Sequence, residues 1–266
     1  MKKTKKKPFP ITLVILAGLI LGILFGLFMP GRYEWALPWI ELAGGIYMNA
    51  LRMMIFPLVF CSIAAVIYAN GIETVAALGA VLAALYVTMF LYILLIYGGI
   101  VKVIGKCSVG TFFAEVMPAA LNAFGTCSSS ATLPISKQCA DKLGVPNEIS
   151  AFALPLGATI NMDAVSIVMS FMIVFFANAC GSEISFGLLA IVLLSNTLLS
   201  IGTPGVPGGA IASFAALASI AGLPMGIMGV YISIYPLCDM GATCCNVLGD
   251  LACSVAMKRT IKHSSR

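Results

Sequence analysis

Charge is scarce in this sequence. Of its 266 residues, 9% are charged and 61% are hydrophobic, whereas soluble domains carry roughly 25% charged residues. So few charges cannot cover a surface that faces water on all sides, which excludes an ordinary water-soluble globule. Histidine is nearly missing too: His263, in the tail, stands alone. No imidazole is therefore available inside the apolar body for a metal-activated water or a nucleophile–base pair, and most hydrolytic chemistry needs one or the other. A paired-aspartate protease is the least poor enzymatic alternative. Its two candidates, Asp239 and Asp250, would lie about 16 Å apart along a helix, too far to share a proton. The chain is read as not an enzyme and as needing no organic cofactor. Cysteine, by contrast, is plentiful. Six of the nine, Cys61, Cys180, Cys238, Cys244, Cys245 and Cys253, sit in apolar runs, where a free thiol behaves as a small apolar residue. A disulfide framework belongs to small secreted chains and is not expected.

Long apolar runs are what the sequence has instead. Residues 11–29 and 79–101 carry no charge, and each matches the roughly 20 residues a membrane-spanning helix needs. The first run is read as an anchor rather than a cleaved signal, because no small-residue cleavage site follows it. Spans are predicted at 11–29, 43–69, 77–104, 150–180 and 226–257, giving a multi-pass, all-α membrane protein in contact with lipid. The basic residues gather at the ends, Lys2, Lys3, Lys5, Lys6 and Lys7 before the first span and Lys258, Arg259, Lys262 and Arg266 after the last. Basic flanks favour the cytoplasm, so the plasma membrane with a cytoplasmic N-terminus is expected. The net charge of +5 is accounted for by topology and gives no reason to expect nucleic acid. One conflict follows: five crossings place the two basic ends on opposite sides, and Lys102 and Lys106 also ask for the inside.

Two regions are neither clean spans nor ordinary loops. Residues 115–145 run through the polar stretch TCSSSATLP, and residues 187–225 are apolar arms broken by GTPGVPGG. Each reads as a re-entrant helical hairpin, tolerated at membrane depth only where protein buries it or where it lines a wet cavity. Hairpin, span, hairpin, span is the order an inverted repeat produces, and paired interrupted segments point to a transporter's binding site. Residues 1–78 are assigned to N-terminal scaffold spans and 79–266 to a transport core.

The polar residues within these segments carry the chemistry. Asp239, Thr243, Asn246 and Asp250 are spaced i, i+4, i+7, i+11 and share one helix face. An acid at mid-membrane costs on the order of 2.5–3.5 kcal/mol, so two on one face call for a cation or an ammonium group; a water-exposed helix end is the alternative. In GATINMDA, residues 157–164, Asn161 and Asp163 cannot share a face of a continuous helix. Unwinding after Gly157 would let side chains and freed carbonyls converge as hard oxygen ligands suited to sodium; a plain helix–helix polar contact is the alternative. Ser128, Ser129 and Ser130 either cap the second hairpin arm or present a helix N-terminus to a substrate carboxylate. GTPGVPGG is either a turn or a hinged gate.

Four ordered motifs, SSSATLP, GATINMD, SIGTPGVPGG and DMGATCCNVLGD, make residues 80–257 resemble the dicarboxylate/amino acid:cation symporters, the glutamate-transporter fold. The first 69 residues look like that family's first two spans. The resemblance implies sodium-coupled symport of a small amino acid. It implies that Asp239 holds the substrate amino group, that Thr243 and Asn246 contact its backbone, and that Ser128, Ser129 and Ser130 with Gly205, Val206, Pro207 and Gly208 enclose it. It implies one Na+ at Gly157, Asn161, Asn246 and Asp250, a second among carbonyls near Ser200, Ile201, Thr203 and Thr159, a third at Asp163, and a homo-oligomer, namely a trimer.

The chain departs from that pattern in two ways. Where acidic-substrate members carry an arginine three residues after the substrate-binding aspartate, this chain has Ala242, and where some members carry one before the serines it has Cys127. A side-chain carboxylate would be buried unpaired, so a neutral amino acid is expected; an acidic amino acid or a dicarboxylate is the alternative. The third, fourth and fifth spans also look absent, which leaves a binding-only or transport-inactive member as a further alternative.

Overall fold

The computed structural model describes residues 76–183 and 185–264, all helix and connecting turn, with no strand among them. The predicted spans at 11–29 and 43–69 lie outside the described residues. The described residues form eight helices in order: α1 Ala76–Ile104, α2 Val109–Thr126, α3 Ser129–Lys142, α4 Asn147–Ile160, α5 Asp163–Ala179, α6 Phe186–Ile201, α7 Ala210–Ile220 and α8 Ile227–Ser264. Among the described residues, three stretches are long and apolar enough to cross a membrane: α1, the α4–α5 stretch Asn147–Ala179, and Ile227–Thr260 of α8. They coincide with the predicted spans at 77–104, 150–180 and 226–257 to within a few residues.

The spans differ in how deeply they sit, and the sequence explains why. In α8 72% of the most apolar window is buried, in α1 only 11%. The centre of the bundle is thus α8, which packs against α2, α3, α4, α5 and α7 and against two turns of α1. Its contact surface includes small residues, with Cys238, Ala242, Cys245 and Ala252 all buried; small side chains let neighbouring backbones approach, which is how helices pack in a membrane. By contrast α1 turns Val87, Phe90, Leu91, Leu95 and Val103 outward, as a lipid-facing helix does.

Two helical hairpins flank α8. In the first, α2 ends at Cys127, a non-glycine residue at φ +50°, and α3 begins directly after it. The second joins α6 to α7 through residues 202–209, where Gly208 takes φ +83° and supplies the left-handed step that a side chain would resist. The first arm of this second hairpin is held on α5 by Asn196, whose Nδ2 donates to the Ser166 carbonyl at 2.9 Å and to Ser170 Oγ at 2.8 Å. An aromatic stack holds its second arm on α8: Phe214 lies on Tyr231, centroids 3.9 Å apart, and Tyr231 meets Tyr235 edge on.

The first hairpin leaves and returns to one end of the bundle. A methyl group on Gly105, at the end of α1, would lie 2.8 Å from Val255 Cγ1. Three residues on, Lys258 donates to the Leu143 carbonyl at 3.0 Å. The end of α1, the α3–α4 turn and the tail of α8 are therefore neighbours, and with them Lys102, Lys106, Lys142, Lys258 and Arg259. The lysines that asked for the same side as the tail are on it. What is left of the parity conflict falls before residue 76, outside the described residues.

Candidate binding site

The polar face predicted for the last span exists. Helix α8 is continuous through it, and Asp239, Thr243, Asn246 and Asp250 are buried, each between 2% and 7% exposed. At this depth every polar atom needs a partner, and the partners come from three other elements. Asp239 Oδ2 accepts from the backbone N–H of Gly208, at the second hairpin tip, at 3.3 Å, and Oδ1 accepts from Thr243 Oγ1 at 3.3 Å. Asp250 Oδ1 accepts from Asn161 Nδ2 at 2.8 Å, and the same amide nitrogen donates to the Asn246 carbonyl at 3.1 Å. Asn246 bridges outward, its Oδ1 accepting from the Ala164 N–H at 2.9 Å and its Nδ2 reaching Met162 Sδ at 3.3 Å.

The unwound stretch is equally real. Helix α4 stops at Ile160, Asn161 (φ −85°, ψ 85°) and Met162 (φ −118°, ψ 41°) leave helical geometry, and α5 restarts at Asp163. The break frees carbonyls and separates the two polar side chains. Asn161 turns to Asp250, while Asp163 turns to α1, where Tyr92 and Tyr97 both donate to its Oδ2 at 2.9 and 3.1 Å. Gly157 stands where only glycine fits: a methyl group there would lie 2.6 Å from Asp250 Cγ and closer still to Oδ1.

The two hairpin tips meet. Ser128 Oγ donates to the Gly205 carbonyl at 3.2 Å, and the Ser130 N–H reaches the same oxygen at 3.3 Å. Ser128 also caps α3, accepting from the Ala131 N–H at 3.2 Å, so capping and tip contact fall on one residue. Ser129 is buried and Ser130 exposed. Gly205 is pressed against the end of α4, where an added methyl group would strike the Ala158 carbonyl. Val206 and Pro207 face outward.

Beneath the tips is a tight cavity of about 10 Å³, room for about one water, lined by Cys127, Ser129, Met162, Val165, Thr203, Pro204, Gly205, Val206, Tyr235, Asp239, Thr243 and Asn246. On the other side of Asp239 the packing against Val165, Val168, Ala210, Tyr235, Cys238 and Ala242 leaves no room for a water. No lysine or arginine lines either.

The residues expected near Thr159 are gathered less tightly. Ser200 and Thr203 are buried, but the Thr159 and Ile201 side chains are exposed. Thr159 Oγ1 bonds within its own helix, to the Leu156 carbonyl at 2.7 Å, and Thr203 Oγ1 pairs with Ser213 Oγ at 2.8 Å. Sequence reasoning missed Met162, Tyr235, Tyr92 and Tyr97. Met162 had a signal, lying inside a motif already singled out. The tyrosines had none, because their role depends on which helices pack together.

Two hairpins closing tip to tip over a broken helix, above a buried acidic face, define a polytopic helical membrane protein with a closed internal polar site. The profile of the sodium:dicarboxylate symporter family matches residues 11–70 and 61–260, and the chain belongs to that family, one of transporters and not of enzymes. Similar proteins include the excitatory amino acid transporter of Caenorhabditis elegans, 38% identical over 140 residues (52% of this chain, 28% of the relative). The neutral amino acid transporter B(0) of Mus musculus is 36% identical over 140 residues (52% and 25%). The excitatory amino acid transporter 2 of Mus musculus is 33% identical over 163 residues (59% and 28%). The chain thus spans under a third of the length of these curated relatives.

Proposed function

We propose that the chain binds a small neutral amino acid together with sodium and carries both across the plasma membrane. The observation that carries this reading is the pairing at Asp239. A buried carboxylate, with Thr243 beside it, faces a small cavity that has no cationic side chain in its lining. An ammonium group complements that carboxylate, and nothing in the lining complements a second one on the substrate, whose unpaired burial would be costly. The substrate ammonium displaces the Gly208 N–H from Asp239, which lifts the tip of the second hairpin and couples binding to gate movement. Both hairpins are re-entrant in this reading, with the basic end of the bundle in the cytoplasm, as the distribution of lysines favours.

Sodium fits the donor set near Asp250. The carboxylate, the side chains of Asn161 and Asn246 and the carbonyl of Gly157, which also accepts from the Asn161 N–H at 2.8 Å, are hard oxygen donors of the kind such a cation takes. Asn161 holds the carboxylate in place, and Gly157 leaves the room. A second cation would use carbonyls around Ser200, Ile201, Thr203 and Thr159, where the second tip meets the end of α4. Bound sodium supplies the positive charge that lets the site close with two aspartates ionised.

The acidic alternative draws on the names of two of the relatives, which are excitatory amino acid transporters. Calorimetry on the purified full chain with a panel of amino acids, in sodium and in choline, separates the readings. Binding of serine or alanine only in sodium, lost in Asp239→Ala, is the expected result. Preference for aspartate would overturn the neutral assignment, and silence toward every amino acid in both salts would overturn the whole reading.

A further inference from the structure

Tyr92 and Tyr97 are five residues apart on α1. On a regular α-helix that spacing turns two side chains about 140° away from each other. Both hydroxyls nevertheless donate to one atom, Asp163 Oδ2, at 2.9 and 3.1 Å, and the two rings meet edge to face with centroids 5.2 Å apart. The helix itself reconciles these facts. Between them α1 widens into a π turn, Ile93–Tyr97, in which the Gly98 N–H reaches back five residues to the Ile93 carbonyl. An i→i+5 turn brings residue i+5 round over residue i, and such turns are rare and concentrate at functional sites. The far side of the pair is equally specific: a methyl group on Gly249 of α8 would lie 2.6 Å from the Tyr97 hydroxyl, so glycine there leaves the phenol its place.

We infer that Tyr92 and Tyr97 are built-in counter-groups for Asp163, two phenol hydroxyls that compensate its carboxylate without a cation and latch α1 to the core. An ionised carboxylate inside a membrane needs compensation, and O–H···O⁻ bonds are among the strongest neutral donors can offer it. A cation reaching Asp163 competes with donors already in place. The pair therefore weakens the sodium response at this carboxylate, and in that second half the inference rests on the sodium-coupled reading. The tyrosines are positioning residues: they act through Asp163.

The test is a double-mutant cycle on the full chain in detergent. Tyr92→Phe, Tyr97→Phe and the double variant are melted in the parent and in the Asp163→Asn background, each in choline and in sodium. The double Phe variant is expected to melt about 3–10 °C lower in choline. That loss should shrink sharply in the Asp163→Asn background, and sodium should raise the melting point of the Phe variants more than that of the parent. Additive effects of the tyrosine and Asp163 substitutions would overturn the clamp. So would a sodium response abolished by the Phe substitutions, which would make the hydroxyls cation ligands. If sodium moves neither parent nor variants, the sodium-coupled reading fails, and the cycle in choline alone still decides the clamp. Should the double variant fail to fold, the cycle is run with Tyr92→Phe, whose side chain is only half-buried.

Discussion

The backbone of Gly157 passes so close to Asp250 that a methyl group on it would lie 2.6 Å from the carboxyl carbon. No rotation of a methyl group relieves that contact; either the carboxylate or the end of α4 has to move. Gly157→Ala is therefore expected to cost about 1–3 kcal/mol of stability, the usual range for overpacking. Because what moves is the proposed sodium ligand, the sodium-dependent rise in melting temperature should fall as well. Melting curves in sodium and in choline measure both effects, and a normal sodium response in a destabilised variant would detach Asp250 from the cation site.

Asp239 is expected to carry the amino-group contact. Asp239→Asn keeps its shape and the Gly208 and Thr243 neighbours but removes the charge. Truncating one side of a buried charge pair costs about 2–5 kcal/mol, so amino-acid affinity should drop by well over tenfold while the fold is retained. Isothermal calorimetry gives the affinity and circular dichroism the fold; unchanged binding would remove Asp239 from the site.

The contact between the tips can be tested from the second hairpin. Gly205 lies against the Ala158 carbonyl with no space for a side chain, and its own carbonyl receives Ser128 Oγ and the Ser130 N–H. Gly205→Ala should push the tip away from both. Hydrogen exchange followed by mass spectrometry is expected to show faster exchange across residues 128–131, with the α8 core unchanged.

Ala242 packs behind Asp239 with Val165, Val168, Ala210, Tyr235 and Cys238. A guanidinium placed there has no carboxylate to pair with except Asp239 or one brought by the substrate. Ala242→Arg is expected to weaken neutral amino acids and to let aspartate compete in the same calorimetric panel. If aspartate binds the unsubstituted chain as well as serine does, the neutral assignment fails before the variant is made.

Much of this site could be read in the chain order. The acidic face of α8 follows from a spacing of 4, 7 and 11 residues, because a helix turns by a fixed angle per residue and side chains at those intervals must align. The break after Gly157 follows from two polar residues set too close together for one helix face. The helical hairpins follow from apolar arms too short to be spans and joined by serine or by glycine and proline. Each of these is a local property, decided by residues near one another in sequence.

Local pattern does not choose partners. Asn161 and Asp163 sit two residues apart in one motif, yet Asn161 bonds to Asp250 while Asp163 bonds to α1. That division depends on which helices lie on either side of the break. Likewise Thr159 and Thr203 are alike in sequence, but one faces outward and the other is buried against Ser213. By itself the sequence determined that the chain belongs in a membrane, where the three described spans and the two helical hairpins fall, and which face of the last helix is polar, because hydrophobic length and helical period are properties of a single segment. The tertiary structure alone decided that Tyr92 and Tyr97 answer Asp163, that Ser128 meets Gly205, and that the end of α1 shares a side with the tail. Those contacts join segments remote in sequence, and they are set by the shapes of packed helices, which no single segment contains.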